Sequence, residues 1–598
     1  MATAVIPQTK VAGGSFLIEE RAVEDVFTPE DFTEEHQQIR QTTEEFANKE
    51  IVPNLDRIEH KDFAFSRELL KKAAELGLSS VDVPEAYGGL EMDKITSALI
   101  ADYIAKSGSF SVTWGAHTGI GTLPIIYFGT EEQKKKYLPR LAAGELVGAY
   151  ALSENTSASD SLNARTKAVL SPDGKHYILN GEKMWITNAG FADLFIIFAK
   201  VDGEHFTAFI VERNFPGFTV GAEEKKLGIR GSSTCPLILN DCQVPVENLL
   251  GEIGKGHIIA FNTLNIGRFK LGAGCVGGAR YSLQHAIAYA KQRKAFGKSI
   301  SEFGLIQEMI ADIALKIYVG EAMSYRTVGM IDAATSHIQN NSPEASREIR
   351  KGIEEYAVEC SILKVWGSEM FDRVVDSVVQ IYGGYGFVEE YPAERAYRDS
   401  RVNRIFEGTN EINRMIITGW LMKRAMKGQL LLLPAIKKLM DEVMAGPIPP
   451  GDYDGPLADQ WNMLANAKRI ALFASGAATQ KYMTAIENEQ EVMGALADMS
   501  IEVYALESAL LRTKKLIAHN GEASASLPIA MTQAYSARAM ETIECAARKV
   551  IAAIAEGDML RTQMAILRRL IKYEPVNTIA LRRQIAARVL EAGKYVIQ

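Results

Sequence analysis

The sequence has few cysteines and no long apolar run, and both absences narrow its class. Five cysteines are scattered through 598 residues without a Cys-x-x-Cys pair, which argues against a disulfide framework. No stretch approaches the roughly 18 apolar residues of a membrane span, and the opening MATAVIPQTK lacks the apolar core of a signal peptide. We therefore expect a protein of a reducing compartment, located in the cytoplasm.

Basic charge is not in excess either. A net charge of -8 argues against a nucleic-acid-binding surface. His117, in WGAHTGIGTLP, is the histidine with most appeal as a ligand, but no partner lies at metal-ligand spacing. We interpret it as a packing residue and predict no metal site.

The periodicity of the chain changes three times. Residues 29 to about 145 have helical periodicity, with Thr28 as a candidate N-cap and Asp31 three residues later. From about Tyr150, short runs rich in Ile, Val, Phe and Thr alternate with turn residues, which is typical of a small antiparallel sheet. Helical periodicity returns near Gly256, and the linker AGPIPPGDYDGP precedes further Ala-rich helices.

These changes predict a mainly α fold with a small β domain. Because 598 residues exceed what one hydrophobic core organises, the chain should form several domains. The predicted divisions are an N-terminal extension (1–27), an N-terminal helical domain (28–148), a central β domain (149–255), a C-terminal helical bundle (256–425) and an additional helical domain (445–598).

Two patterns have an ordinary structural interpretation. Gly272, Gly274 and Gly277 have the G-x-G-x-x-G spacing of a dinucleotide site, but no strand precedes them and helical sequence flanks them, so close helix packing is favoured. The basic stretch RRLIKYEPVNTIALRRQIAARVL is interpreted as a solvated bundle face, and the leucine run at 430–433 as core. Membrane contact by either stretch stays open.

The chemical centre of the sequence is Glu407, in IFEGTN. It follows the apolar pair Ile405 and Phe406 and precedes Gly408, so a turn can present its side chain and its backbone N–H together. Burial beside apolar residues would raise the pKa of a glutamate from about 4.3 towards neutrality, where a general base is most efficient. Glu407 is the predicted catalytic base.

Upstream, a glycine turn follows Gln380. Gly383, Gly384 and Gly386 lack Cβ atoms, so backbone amides could approach a phosphate closely. Taken alone, the turn is equally typical of a connection between helices. The larger pattern from Gln380 to Asp399, together with IFEGTN, resembles the second signature and the catalytic segment of the acyl-CoA dehydrogenase family.

That resemblance implies an N-terminal helical domain, a central antiparallel β domain and a C-terminal four-helix bundle, and it covers residues 28 to 425 strongly. The region after 445 resembles the C-terminal extension of the very-long-chain branch, which goes with dimers and membrane association. The implied assembly is a homodimer or a dimer of dimers, with peripheral membrane contact open and no nucleic-acid partner.

The resemblance also implies roles for individual residues. For FAD, the implied contacts are Tyr150, Leu152, Ser153, Ser159, Trp185, Thr187, Arg293, Phe296, Gln380, Gly383, Gly384 and Thr409. For the acyl-CoA substrate, they are Ser159, Asn265, Arg268 and Gly408. Arg293 and Phe296 are expected to reach the flavin of a second subunit.

The loop at 150–160 departs from the family pattern. Ser153 stands where the family usually has Thr, which keeps a donor. Asn155 and Thr156 replace Pro and Gly, and Ala158 replaces Gly, which alters the stiffness of the loop.

The activity implied by the resemblance is FAD-dependent α,β-dehydrogenation of acyl-CoA thioesters to trans-2-enoyl-CoA in fatty-acid β-oxidation. The extension favours long chains, and the expected electron acceptor is an electron-transfer flavoprotein. Two alternatives stay open: an acyl-CoA oxidase that uses oxygen, and a non-catalytic family member acting in assembly or nucleic-acid protection. Retention of Glu407 and the glycine turn argues against the second.

Overall fold

The computed structural model describes residues 10–338 and 344–597, so the first nine residues of the predicted N-terminal extension lie outside it. In chain order, the described residues form helices both before and after a central sheet, as the prediction of a mainly α fold requires. The helices are α1 Glu34–Phe46, α2 Leu55–Glu59, α3 Phe63–Glu75, α4 Lys94–Tyr103, α5 Gly108–Gly115, α6 Leu123–Phe128, α7 Glu131–Ala142, α8 Gly256–Gln292, α9 Gly304–Thr335, α10 Ala345–Glu355, α11 Ala357–Tyr382, α12 Pro392–Ser400, α13 Asn410–Met426, α14 Leu432–Ala445, α15 Ala458–Tyr482, α16 Gln490–Asn520, α17 Ser526–Ile554, α18 Gly557–Leu570 and α19 Thr578–Ala592.

The strands lie between α7 and α8, apart from one short hairpin after α8. They are β1 Gly148–Ala151, β2 Lys167–Leu170, β3 His176–Thr187, β4 Leu194–Val201, β5 His205–Glu212, β6 Phe218–Val220, β7 Thr234–Pro245, β8 Leu249–Leu250, β9 Lys294–Ala295 and β10 Lys298–Ser299. The assignment of these stretches to separate domains with the predicted boundaries stays a prediction.

The central sheet is mixed, whereas the prediction was an antiparallel one. Its order is β6-β7-β3-β2-β4-β5-β8, and β1 pairs with β4. The pairings β1 with β4 and β2 with β4 are parallel, and the others are antiparallel. Hairpin-connected strands must run antiparallel, but β1 and β4 are separated by two other strands and are free to run parallel. Sequence periodicity does not distinguish these cases.

Helices α8 and α11 approach each other closely because their contact face carries glycine. A Cβ added to Gly272 would lie 3.1 Å from the Cβ of Leu363, and one added to Gly367 would lie 3.1 Å from Gly272 Cα. Gly277 packs in the same way against α4 at Asp102. The close-packing interpretation of the G-x-G-x-x-G spacing is therefore confirmed.

The first long helix begins later than its sequence signal indicated. Thr28 and Asp31 form a capping box, but that box caps only the single turn Pro29–Asp31. Helix α1 begins at Glu34 with Thr33 as its N-cap, and the Thr33 side chain accepts from the N–H of His36. Two capping signals lie five residues apart, and Pro29 makes the first equally plausible from sequence.

The C-terminal helices pack on the helices of residues 256–425. Ile585, Ala586 and Val589 of α19 are buried, and the Nε of Arg582 donates to Asp312 of α9 at 2.7 Å. The apolar side of the basic stretch is thus covered by protein, which confirms the bundle-face interpretation. Among the described helices, none combines the length and the apolar character needed to cross a membrane.

The leucine run is only half core. Leu430 and Leu432 are buried, whereas Leu431 and Leu433 are 65% and 49% exposed. The run enters α14 near Leu432, and a helix on the surface of a bundle turns alternate faces to solvent. The prediction of a core run is therefore wrong for Leu431 and Leu433.

Candidate active site

One cavity of the structure contains Glu407. It lies between α4, α5, α8 and α12, and its walls are mostly apolar and small: Ala101, Gly115, Ala116, Gly119, Gly274 and Gly278. Thr187, at the end of β3, lines the same cavity. Small side chains on three helices leave room for an elongated apolar ligand beside the carboxylates of Glu407 and Asp399.

The Glu407 carboxylate lies in this wall without a full set of hydrogen-bond partners. Its Oε2 is buried and has no hydrogen-bond partner among the described residues. Burial raises the pKa of Glu407 to about 7, although Arg268 and Lys364 nearby act in the opposite direction. A carboxyl group with this pKa exchanges protons readily near neutral pH.

A glycine makes room for the carboxylate. A Cβ added to Gly267 of α8 would lie 2.5 Å from Glu407 Oε2 and 2.7 Å from its Cδ, closer than van der Waals contact allows. Glu407 and Gly408 both have positive φ, 58° and 80°. A non-glycine residue in this conformation costs about 1 to 3 kcal/mol and is concentrated at functional sites.

Three of the four predicted substrate residues, Asn265, Arg268 and Gly408, lie at this turn. Arg268 is buried, its Nε donates to the Glu407 carbonyl at 3.2 Å, and its Nη1 donates to Asn265 Oδ1 at 2.8 Å. The Thr409 hydroxyl accepts from Ile412 N at 3.3 Å as the N-cap of α13. The structure therefore gathers these residues around the backbone of Glu407, and their substrate and cofactor roles stay predictions.

The loop after β1 is anchored by a buried ion pair. Lys183 Nζ lies 2.7 Å from Glu154 Oε1, and both side chains are almost fully buried. Lys183 Nζ also donates to the Leu152 carbonyl at 3.3 Å, and Met184 N donates to the Ser153 carbonyl at 3.0 Å. These bonds hold Leu152 and Ser153 against β3.

Tyr150 and Ser159 lie at opposite ends of that loop. The Tyr150 hydroxyl is buried without a partner among the described residues, and burial, followed by the charge of Glu407, raises its pKa well above the usual value. Tyr150 is thus a near neighbour of the candidate base. Ser159 is exposed.

Trp185 is turned out of the sheet by a bulge. The ladder between β3 and β7 shifts register between Lys183 and Ile186, and Trp185 has φ 58°. A bulge re-aims the side chain that it carries, and the Trp185 ring is 55% exposed. Thr187, two residues further on, points into the cavity wall.

The remaining predicted flavin contacts form a separate surface. Arg293, Gln380, Gly383 and Gly384 are exposed, and Phe296 is 95% exposed. Arg293 lies over the ring of Tyr385, with its Cζ 5.6 Å from the ring centroid. None of these five residues lines the cavity that contains Glu407. Their place on an open surface is what a contact with another molecule requires.

His117 is a packing residue, as predicted. It is buried, its Nδ1 accepts from Gly148 N at 3.2 Å, and burial lowers its pKa to about 4.

Three residues at the site were missed by the sequence analysis: Gly267, Lys364 and Asn413. Lys364 Nζ donates to the Gly408 carbonyl at 2.7 Å, and Asn413 Nδ2 donates to the same carbonyl at 2.7 Å. A lysine within the apolar run SILKVWG was the available signal for Lys364. Gly267 and Asn413 carried none.

The chain is 51% identical over 586 residues to a probable acyl-CoA dehydrogenase of Bacillus subtilis (strain 168), and the match covers 98% of each chain. The chain belongs to the acyl-CoA dehydrogenase family. Profiles of acyl-CoA dehydrogenase domains match it in four places: the N-terminal domain at 33–145, the middle domain at 149–242, and C-terminal domains at 254–422 and 466–569.

Two further similarities frame the acyl-CoA dehydrogenase fold of this chain. The crystal structure of an acyl-CoA dehydrogenase complexed with FAD from Bacillus anthracis superposes with a TM-score of 0.96 at 51% identity, covering 98% of this chain and all of that one. The very long-chain specific acyl-CoA dehydrogenase of Homo sapiens mitochondria is 37% identical over 478 residues, which cover 74% of this chain and 69% of that protein. The predicted family and fold are confirmed.

Proposed function

We propose that this enzyme removes two hydrogens from the α and β carbons of a long-chain acyl-CoA thioester and produces the trans-2-enoyl-CoA. The observation that carries the proposal is the placement of Glu407 as a buried, incompletely paired carboxylate in the wall of an apolar cavity. Membership of the acyl-CoA dehydrogenase family supplies the reaction class.

Glu407 is the base in this proposal. Its carboxylate would take the α-proton of the thioester, because a carboxylate whose pKa is about 7 is a stronger base than one with the usual pKa of about 4.3. Gly267 leaves the carboxylate in place beside the cavity. The apolar walls exclude water, which would otherwise solvate the carboxylate and weaken it.

The backbone N–H of Glu407 would stabilise the charge that develops on the thioester oxygen. The three carbonyls of Glu407, Gly408 and Thr409 all accept hydrogen bonds from side chains, whereas the Glu407 N–H donates to no group among the described residues. A fixed N–H donor at a developing oxyanion is worth about 3 to 4 kcal/mol when its removal is measured.

The residues around the cavity fit FAD. Trp185 offers a half-exposed ring beside Thr187, and a Cβ added to Gly383 or Gly384 would meet no atom within 4 Å, so the backbone of the glycine turn is open to a phosphate. When bound, FAD supplies the acceptor for the hydride that leaves the substrate Cβ. Trp185 and Thr187 would orient the flavin ring.

The shape of the cavity supports a long acyl chain. The cavity that contains Glu407 also reaches Leu55, Tyr281 and Arg395, and Arg395 pairs at 2.7 Å with Asp56, whose side chain is 83% exposed. The cavity therefore extends from the base to near the protein surface at α2. A chain of many methylene groups would lie along the cavity. Burial of each methylene group would contribute about 0.8 kcal/mol to the binding free energy.

The exposed flavin residues support a homodimer. The rings of Phe296 and Phe387 are 95% and 83% exposed, and Arg293 is exposed as well. Apolar side chains this exposed commonly mark a protein interface. Arg293 of one subunit would then contact the flavin of the other. Family membership supports an electron-transfer flavoprotein as the acceptor, and fatty-acid β-oxidation as the pathway.

The test is the visible flavin spectrum of the purified holoenzyme under anaerobic conditions. Palmitoyl-CoA should bleach the flavin band quickly and butyryl-CoA slowly, and the band should recover slowly in air. Fast recovery with peroxide would identify an oxidase, no bleaching would support the non-catalytic alternative, and a colourless protein would contradict the cofactor.

Glu407→Gln makes this test specific. The amide keeps the size of the side chain and removes the base, so the variant should bind FAD and lose at least about 10³-fold in bleaching rate. Glu411→Gln, an exposed carboxylate one turn further on, is the matched control and should bleach normally. Normal bleaching by Glu407→Gln would place the base elsewhere.

A further inference from the structure

Lys364 is a buried lysine that no step of the proposed reaction yet uses. It lies in α11 and is fully buried, although a buried lysine is rare unless it is paired. Its Nζ donates to the Gly408 carbonyl and to Asn410 Oδ1, both at 2.7 Å. Neither acceptor carries a charge. The ammonium therefore binds the backbone just after Glu407 and the first residue of α13.

The carbonyls around Gly408 are held from three directions. Arg268 reaches the Glu407 carbonyl from α8, and Lys364 reaches the Gly408 carbonyl from α11. Asn413 Nδ2, from the first turn of α13, lies within 3.3 Å of three consecutive carbonyls, including that of Thr409. These bonds fix the orientation of successive peptide planes.

The fixed orientation has a chemical consequence. Positive φ at the non-glycine residue Glu407 is unfavourable and persists only when its surroundings impose it, whereas Gly408 adopts positive φ readily. The Glu407 N–H belongs to the preceding peptide and has no partner among the described residues. The positive φ of Glu407 sets its direction relative to the fixed carbonyls. Its side chain is held against Gly267 at the cavity. Releasing the Gly408 carbonyl would let the turn relax and move both reacting groups.

We propose that Lys364 is a positioning residue for the reaction: its ammonium holds the Gly408 carbonyl and thereby fixes the turn that aims the Glu407 carboxylate and N–H at the substrate. This inference rests on the proposed function, since it assigns Lys364 to the same proton transfer. Lys364 does not line the cavity, so it acts through Glu407.

The charge of Lys364 gives the role a measurable signature. The groups that act on its ammonium are Glu407, Cys275, Arg268 and Glu411, and burial lowers the pKa of Lys364 to about 7. Its positive charge in turn opposes the rise in the pKa of Glu407. Loss of the cation should raise the pKa of Glu407 further, because the carboxylate form loses a stabilising neighbour.

The experiment measures the rate of anaerobic flavin bleaching by palmitoyl-CoA across the pH range, which involves no external electron acceptor. In Lys364→Met, the plateau rate should fall by about 100-fold, the loss expected for a misplacement of roughly 1 Å. The acid limb should move up by about one pH unit. Flavin content and Tm should change far less than the rate.

Two further variants separate the contributions. Lys364→Gln keeps a hydrogen-bond donor on a side chain one bond shorter and removes the charge, so it should recover part of the plateau rate with the acid limb still displaced. Lys316→Met removes another buried lysine, on α9, which donates to none of the three carbonyls. It should bleach as the parent does, with an unmoved acid limb.

The inference is overturned if Lys364→Met bleaches within about twofold of the parent. It is also overturned if the fall in its bleaching rate equals the fall in its flavin content and the fall in the rate of Lys316→Met. If Lys364→Met fails to fold, an unmoved acid limb in Lys364→Gln overturns it. Glu407→Gln, measured in parallel, separates the two proposals: bleaching by that variant contradicts the proposed function itself, whereas its loss beside a normal Lys364→Met contradicts only the role of Lys364.

Discussion

Two buried glutamates in different regions of the molecule, Glu407 at the cavity and Glu507 in α16, have opposite pKa shifts. Burial would raise the pKa of Glu507, but Lys468 and Arg326 outweigh it and the pKa is lowered. Burial raises the pKa of Glu407 to about 7 despite two neighbouring cations. The number of cations is therefore not what distinguishes the two carboxylates.

The difference is in what the cations bind. Arg326 Nη2 donates to Glu507 Oε2 at 2.6 Å, and Lys468 Nζ donates to its Oε1 at 2.5 Å. At the cavity, the bonds that Arg268 and Lys364 make go to backbone carbonyls and neighbouring amides, and the Glu407 Oε2 is left unpaired. A fully bonded carboxylate stabilises the structure, and an underbonded one keeps its affinity for a proton.

The charges that attach the C-terminal helices follow the first arrangement. Arg512 of α16 is fully buried; its Nε donates to Glu30 Oε1 at 2.9 Å, and its Nη1 donates to Glu321 Oε2 at 2.8 Å. One guanidinium thus joins the N-terminal segment, α9 and α16. Such a pair is costly to break, because the remaining partner keeps its desolvation penalty without compensation.

The largest expected effect is on stability and tests the fully bonded side of the comparison. Arg512→Met leaves the carboxylates of Glu30 and Glu321 short of a partner, and we expect a loss of about 3 to 5 kcal/mol in the free energy of unfolding. Denaturant unfolding of the holoenzyme would measure it. Arg561→Met is the control: its pair with Asp558 is almost fully exposed, so it should change stability by less than about 1 kcal/mol. Equal losses would contradict the distinction.

The next effect is on catalysis and tests the underbonded side. In Gly267→Ala, the added Cβ would lie 2.5 Å from Glu407 Oε2, so the carboxylate must move. We expect about a 100-fold lower bleaching rate with FAD still bound. Gly274→Ala is the matched control, about two turns further along α8 in the same cavity wall. Its added Cβ would meet only the Ala101 carbonyl, at 3.6 Å.

The same Gly→Ala change is expected to have different effects on the bleaching rate at the two positions. Gly274→Ala should bleach with palmitoyl-CoA within a few-fold of the parent, because its contact is of ordinary van der Waals length. A similar loss in both variants would mean that cavity volume, and not the position of Glu407, sets the rate.

Local signals in the sequence were enough to predict the order of the elements and the candidate base. Turn residues, caps and periodicity act within a few positions, and IFEGTN places Glu407 between an apolar pair and a helix start. The contacts of the site are not local. Gly267 lies in α8 and Glu407 lies between α12 and α13, so their contact depends on how distant segments of the chain pack together.

The same reasoning explains the errors in the fold. A run of β-branched residues predicts a strand but not its partner, so the parallel pairing of β1 with β4 was not foreseen. Leu431 and Leu433 have the composition of core, and their exposure follows from where α14 meets its neighbour. Arg268 was predicted as a substrate contact from the resemblance, yet its bond to the Glu407 carbonyl could only be seen in three dimensions.

The smallest expected effect concerns a third glutamate, which shows that an elevated pKa alone does not identify a base. Glu359 of α11 is buried, its Oε1 accepts from Gly14 N at 2.7 Å, and its Oε2 has no partner among the described residues. Burial raises its pKa to about 7. It does not line the cavity that contains Glu407, so its elevated pKa serves no reaction there.

Glu359→Gln should therefore stabilise the protein in a pH-dependent way. The folded pKa lies above the unfolded value, so the folded state binds more protons between about 4.5 and 7 and loses stability as the pH rises through that window. An amide can still accept from Gly14 N and has no charge to bury. We expect a gain of roughly 1 to 2 kcal/mol above pH 7, almost none near pH 5, and unchanged bleaching by palmitoyl-CoA. Slower bleaching would couple Glu359 to the active site, and the comparison would then rest on hydrogen bonding alone and not on access to the cavity.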